Sequence, residues 1–551
     1  MSVIELLAEL SRQDIKVWVD GDQLRYRALK GTMTPSLRLK LTEHKAELLT
    51  LLSQRQVSYP VVSLPQVVPA PDQLYLPFPA TDVQQVYWIG RSPTFELGGV
   101  GNHGYVEVEA VDLDLDRSLL ILRQLIERHP MLRAVMLPDG QQQILEHVPP
   151  FHIEVINLIG LDQQEVNKRL SQIRDEMDHQ VFQVEQWPVF EIRVSRLDER
   201  RIRVHISMEA LFTDSWSIGI LLREFTHLYH EPEASLPPLE LSFRDYVLAE
   251  VQLRDLELYR RSQDYWSKRL RELPPAPDLP LAIDPALLKH PRFVPRKARL
   301  EASVWQQLKV RGAQARLTPS GILLAAFAEV LTTWSKTPRF CINLVIANLL
   351  PLHRQANEIM GDFTSLLLLA VDNSRSNTFE NRAKSLQEQL WRDFDHCYYS
   401  GVRVLRDLAR MQGGTGQAAM PVVFTSLLGQ EMIDTTYPAP WQETIYFIAQ
   451  TPQVWLDHQV MEEAGNLVLY WHAVEALFPP GLLDEMFEAY ISFLRRLATD
   501  EAVWQSSSSK LIPSSQLAQR ALINATEAPI SDQLLHDLFR EQAAKSPNHL
   551  A

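Results

Sequence analysis

Near the start of the chain Ile4, Leu6, Leu7 and Leu10 fall at helical spacing. Two alternating runs follow, Val17 and Val19 before the Asp20-Gly21 turn and Leu24, Tyr26 and Ala28 after it, which predict a hairpin. Thr34-Pro35 supplies a cap and a first helical position, after which Leu37, Leu41, His44, Leu48 and Leu52 return to helical spacing. Residues 1–56 therefore read as a small α-β-β-α domain. The stretch 57–73, with prolines at 60, 65, 69 and 71, cannot hold a helix and reads as an extended linker. Strand-like and helix-like segments then alternate: HGYVEVEAV, LLILRQLIERH, RIRVHISMEAL, SWSIGILLREFTHLYH. Such alternation predicts an α/β architecture. A proline cluster at 273–291 divides it into two lobes, 74–272 and 273–505. The segment 506–551 opens on serines and closes on LLHDLFREQAAKSPNHLA, just past a helix, so a longer parent protein is expected.

Composition narrows the function classes. At roughly 150 residues per domain, 551 residues allow three or four folding units. With 54 Lys+Arg against 68 Asp+Glu the net charge is −14, which works against nucleic acid as a partner. Residues 1–56 carry nine basic and seven acidic side chains, so that segment is +2 and the remainder −16. Two cysteines, Cys341 and Cys397, offer no disulfide framework or cysteine-rich zinc site and fit a reducing compartment. The start lacks a basic n-region and no apolar run approaches the roughly 20 residues of a membrane span. A cytoplasmic protein with no membrane partner is expected.

Several short motifs fail on context. Gly99-Val100-Gly101-Asn102-His103-Gly104 fits GxGxxG, but a strand-like run follows where a dinucleotide site needs a helix. His227 and His230 lie three apart on a predicted helix without a third ligand, so surface histidines are the better reading. Leu97-Gly98-Gly99 lacks the serine that would carry a prosthetic arm. No metal or bound cofactor is expected.

Other motifs form an ordered series: FPATDVQQVYWIGR (78–91), RHPMLRAVM (128–136), Glu209-Ala-Leu-Phe-Thr-Asp214-Ser-Trp-Ser217, LPPAPDLPL (273–281), GDFTSLLLLAVD (361–372), PVVFTSLLG (421–429) and QTPQVWLDHQV (450–460). The series closely resembles the heterocyclization domains of nonribosomal peptide synthetases over residues 74–505. Residues 1–56 resemble megasynthase docking domains, and the last 20 resemble the opening of an adenylation domain. The resemblance implies two chloramphenicol-acetyltransferase-like lobes forming a V with a central tunnel. Its substrates would be phosphopantetheine thioesters on upstream and downstream carrier proteins, joined as an amide with Cys, Ser or Thr and cyclodehydrated to a thiazoline or (methyl)oxazoline. An ordinary condensation domain carries HHxxxDG in the third motif. Here MEALFTDSW has no histidine, and Glu209 stands where cyclization domains usually have Asp.

Each ring-forming step moves a proton, and a carboxylate in a dry site has its proton affinity brought toward the working pH. Asp457 is the candidate, since it interrupts the strand-like QVWLDHQVM, whose hairpin partner is NLVLYWHAV. An edge-strand Asp facing solvent is the bland alternative. The resemblance adds Thr425, in an apolar strand, to hold the carboxylate or the departing hydroxyl, and Asn348 to polarise the carbonyl. Asp214 and Ser217 have N-cap spacing. The resemblance pairs Asp214 with Arg133, so Glu209, Asp214, Ser217 and Arg133 are expected as supports. Arg25 and Arg27 alternate on the second hairpin strand and are expected to meet an acidic C-terminal tail of an upstream subunit, a solvated face being the alternative. Two other functions stay open: an atypical condensation domain making only the amide, and a noncatalytic docking scaffold.

Overall fold

The computed structural model describes residues 67–549 except 351, 414–418, 431–435, 443, 508 and 528–532, together with 16–20, 23–27 and residues 41, 45 and 64. The predicted hairpin pairs Lys16–Asp20 with Gln23–Arg27, Trp18 opposite Arg25 and Lys16 opposite Arg27. The two helices expected around it lie outside the described residues.

Alternation along HGYVEVEAV becomes the strand His103–Val111. It lies in a five-stranded sheet ordered Thr444–Gln450, His103–Val111, Arg201–Glu209, Phe190–Arg196, Glu154–Asn157. Gly104 thus enters a strand, and the GxGxxG string makes no nucleotide turn. The helix Leu115–Arg128 is capped by Asp114 and meets Ser215–His230 through Ile121, Leu125 and Leu228.

A six-stranded sheet dominates the later half, ordered Phe293–Leu300, Asn466–Val474, Leu456–Glu463, Val422–Ser426, Arg339–Ala347, Thr364–Asp372. Its two faces differ. Phe424, His458 and Trp471 face Phe327 of helix Pro319–Trp334 and Tyr490 of helix Leu482–Thr499, with Phe327 4.8–6.2 Å from each of the other four rings. The alternate residues of the same strands form the opposite, polar face. Asn466–Val474 is buried at all nine positions, as an inner strand covered on both faces must be.

One connection departs from the linear division of the chain. Thr444–Gln450 comes from the later half yet joins the earlier half's sheet, Gln450 opposite His103 and Ile448 opposite Tyr105. Gln450 Nε2 donates to the Asp178 carbonyl (2.6 Å) and to His103 Nδ1 (3.0 Å). The Arg174 guanidinium lies 4.3 Å from the Tyr446 ring centroid.

Residues 510–551 form a separate unit with helices Ser514–Ile523 and Asp537–Lys545, leaving Leu522, Leu535 and Phe539 exposed. Among the described residues no single helix is long and apolar enough to cross a membrane. Helices Ala302–Gln314 and Pro319–Trp334 pass together on composition but meet at 95°.

Candidate active site

Asp457 lies in the third of six strands and is 6% exposed, so it is no solvent-facing edge residue. Register places Val423 beside it on one side and His472 on the other, and Asn343 beside Val423. Laterally aligned residues share a sheet face. Asn343, Val423, Asp457 and His472 therefore form one row on the polar face, and Val345, Thr425, Gln459 and Tyr470 form the next. Thr425 Oγ1 donates to Asp457 Oδ1 at 3.4 Å, and Gln459 Nε2 to Oδ2 at 2.6 Å. Burial pushes the Asp457 carboxyl up to about 6, against the pull of these two hydrogen bonds.

His472 is fully buried. The Ala449 N–H donates to its Nδ1 at 3.4 Å, which places the proton on Nε2. Desolvation pushes the ring down to about 3, so it is neutral. Helix Asp82–Gly90, started by a Thr81–Gln84 capping box, packs Val86 and Tyr87 in a cluster with Val345 and Leu366. The Tyr87 phenol is held well above its usual range by burial first, then by Asp362, Asp457 and Asp214.

The third motif is a clamp. Glu209 ends its strand and is paired with Arg91, which also donates to the Phe182 carbonyl. The extra methylene reaches this guanidinium. Burial nevertheless pushes Glu209 up to about 7. A Cβ at Gly101 would come within 2.8 Å of Glu209 Oε2, so glycine leaves room for the pair. Asp214 caps helix Ser215–His230: its Oδ1 accepts from the Ser217 N–H (2.8 Å) and lies 2.8 Å from Ser217 Oγ. Its Oδ2 accepts from the Phe363 N–H at 3.1 Å. Ser217 Oγ is 2.8 Å from the Gly361 carbonyl and accepts from the Gly361 N–H at 3.0 Å. Asp214 and Ser217 thus hold GDF (361–363) in place. Gly361 is required there, because a Cβ would lie 2.0 Å from the Phe243 ring.

The expected Arg133–Asp214 pair does not form. Arg133 donates to the carbonyls of Glu146 (2.9 Å) and Glu127 (3.4 Å), while the oxygens of Asp214 are occupied by backbone N–H groups and Ser217. Desolvation without a cation raises the Asp214 carboxyl.

Asn348 makes no hydrogen bond to Thr425 or Asp457, whose partners are each other and Gln459. It lies past the end of strand Arg339–Ala347, its N–H donating to the Phe363 carbonyl at 2.9 Å and its carbonyl accepting from Tyr246 Oη at 3.0 Å. Its side chain holds Glu250. The asparagine in the Asp457 row is Asn343, 6% exposed, whose Oδ1 has no protein partner among the described residues. The signal that singled out Asp457, a polar residue inside an apolar strand, was equally present at Asn343 in FCINLVIA. Gln459, His472, Tyr87 and Arg91 were also missed. Among the described residues no cluster of three or more His, Cys, Asp or Glu is arranged to hold a metal.

The condensation-domain family profile matches residues 103–518, and the TubC N-terminal docking-domain profile matches residues 3–54. Pyochelin synthetase PchF of Pseudomonas aeruginosa is 37% identical over 506 residues, 92% of this chain and 27% of that protein. Phenyloxazoline synthase MbtB of Mycobacterium tuberculosis is 36% identical over 486 residues, 86% of this chain and 33% of that protein. The chain thus spans about a quarter to a third of these curated relatives. The cyclization-docking bidomain of EpoB, a nonribosomal peptide synthetase of Sorangium cellulosum, superimposes with a TM-score of 0.76 at 42% identity, covering 90% of this chain and 98% of that one.

Proposed function

Since the chain belongs to the condensation-domain family, in its heterocyclization branch and with a docking domain in front, we propose that it joins a carrier-bound acyl donor to a carrier-bound Cys, Ser or Thr and closes the ring on the polar sheet face around Asp457. The observation that carries this reading is the buried Asp457 carboxyl, gripped by Thr425 and Gln459. Amide formation comes first. The acceptor thiol or hydroxyl then adds to the new amide carbon, its proton passing by way of Asp457 to the carbonyl oxygen, which becomes a hydroxyl. Dehydration forms the C=N bond: the ring N–H proton leaves, the C–O bond breaks, and the protonated hydroxyl departs as water. A carboxyl near 6 can take the first proton and return it. Thr425 and Gln459 hold its two oxygens toward the substrate. Asn343, in the same row, is placed to donate its amide N–H to the carbonyl under attack. Glu209 is engaged by Arg91 and Asp214 by the GDF backbone, so both support the site rather than carry protons.

Intact-mass analysis of product released from donor- and acceptor-loaded carriers tests the reading. A ring is one water lighter than the open amide, and amide alone from the parent protein would reject it. Thr425→Ala is expected to shift the product toward open amide, by about tenfold and less than loss of the carboxylate itself. Unchanged cyclization would leave Thr425 as strand filler.

The hairpin of residues 16–27 is proposed to capture an acidic C-terminal tail of an upstream subunit by strand addition, with Arg25 and Arg27 selecting the partner by charge and raising the local concentration of the donor carrier. Adenylation activity would come from a domain following this one. Arg25→Glu with Arg27→Glu should weaken subunit association while cyclization from freely supplied carriers continues. Titration calorimetry showing parent-like affinity for the upstream tail at low salt would reject electrostatic recognition.

A further inference from the structure

A second polar cluster includes Asp362 of GDF (361–363) and surrounds a cavity of about 30 Å³. That is room for one guest the size of a water molecule. Its wall is drawn from five places in the chain: Asp82 on the first turn of helix Asp82–Gly90, Tyr246 and Glu250 on helix Phe243–Gln252, Asn348, Asp362 with Ser365, and Ser400. Several of the wall's oxygens are already committed. Arg403 donates to both oxygens of Asp82 at 2.7 and 2.9 Å, and Ser400 Oγ donates to Asp82 Oδ2 at 2.9 Å. Tyr246 Oη donates to the Asn348 carbonyl and accepts from the Leu350 N–H.

The others are in deficit. Asp362 Oδ1 accepts from the Thr364 N–H at 3.1 Å, but Asp362 Oδ2, Asn348 Oδ1 and Ser365 Oγ have no hydrogen-bond partner among the described residues. These three residues are 1%, 9% and 4% exposed, and buried polar atoms are rarely left alone. Positive charge is lacking as well. Among the described residues neither Asp362 nor Glu250 forms an ion pair; Arg254 and Arg403, whose charge reaches Glu250, pair with Asp82 at 3.8 and 2.7 Å. Water alone would serve the three oxygens and leave two carboxylates on one small cavity uncompensated, an arrangement that like charges disfavour. A cation meets both deficits.

We propose that this cavity is a binding site for one dehydrated monovalent cation, potassium or sodium, held by Asn348 Oδ1, Asp362 Oδ2, Ser365 Oγ and the Glu250 carboxylate. The donor set is all oxygen, the chemistry of hard cations, and oxygens at fixed places can replace the hydration shell of potassium. Magnesium is the wrong guest, because it keeps several waters and this cavity has no room for them. Calcium takes about six to eight oxygens, more than the uncommitted set offers. Two acids, an amide and a hydroxyl make up that set, which is why no cluster of three or more His, Cys, Asp or Glu marks it among the described residues. The ion ties GDF, which Asp214 and Ser217 hold from the other direction, to helix Phe243–Gln252 and to the segment after strand Arg339–Ala347. The site stands apart from the chemistry read above at Asp457.

The test uses the whole chain at one ionic strength in potassium, sodium or choline chloride, with hydrogen exchange read on peptides covering residues 348 and 361–365. Exchange there should slow about fivefold or more in potassium or sodium relative to choline, as it would with free ion at about four times its dissociation constant. The larger slowing names the resident ion. Peptides of the strand His103–Val111 should exchange alike in all three salts. Asp362→Asn should remove the slowing, and Ser365→Ala, which takes away one donor and no charge, should cut it to about twofold or less. If Asp362→Asn does not fold, Ser365→Ala decides. Equal exchange in the three salts would overturn the proposal and leave water and a proton as the guests. A slowing that Ser365→Ala leaves at the parent value would overturn it too, by placing the ion elsewhere, and so would a response to millimolar calcium with none to potassium or sodium.

Discussion

Asp457→Asn should lower ring formation by about 10²–10⁴-fold, the usual reach of general acid–base catalysis, while amide formation survives better. The amide side chain keeps the hydrogen bonds in outline and cannot relay a proton. The same substitution should make the protein more stable at pH 8. The folded-state value of about 6 lies above the ordinary 3.8. The folded protein therefore binds this proton more tightly than the unfolded chain, and stability is lost as pH rises from 3.8 through about 6. Two units correspond to at most about 3 kcal/mol, so the variant should gain up to that at pH 8 and nothing near pH 4. Urea melts at the two pH values, beside the ratio of open to cyclized product, check both statements. Equal loss of amide and ring in a folded variant would reject the proton-transfer role.

Arg91→Met should be among the most damaging substitutions away from the reacting groups. It leaves the Glu209 carboxylate, which has 1% exposure, without its guanidinium, at about 3–5 kcal/mol for a stranded buried charge. The sign with pH is opposite to a simple loss of packing. Glu209 already titrates near 7 with Arg91 present, and without it the folded protein holds the proton still more tightly. The deficit should therefore be greatest at pH 8 and shrink toward pH 5.5, where Glu209 is neutral. Adding Glu209→Gln should recover most of the loss at pH 8. A deficit that is equal at both pH values and untouched by Glu209→Gln would show that Arg91 matters through its Phe182 contact and packing alone.

Much of the architecture was legible because local signals and tertiary burial agree. HGYVEVEAV alternates and is a strand over those nine residues, and SWSIGILLREFTHLYH begins where Asp214 caps it. The crossing strand was not legible, because TIYFIAQ says strand without saying which sheet. Arg133 and Asp214 are complementary in charge, yet backbone N–H groups, invisible in a sequence, claim the aspartate first. Asn348 was chosen by resemblance, whereas register brings Asn343 into the row of Asp457. Strand order, which decides what lies two strands away, is what a single sequence conceals.

The strand Thr444–Gln450 also bears on how such domains can be recombined. Separating the chain at the proline cluster would strip the His103–Val111 edge of its neighbour and leave the donated strand with nothing to pair. The earlier fragment would then display a raw sheet edge and the later one an unpaired strand, both templates for aggregation. The two halves therefore belong together, and a graft should keep this register only when no junction separates His103–Val111 from Thr444–Gln450.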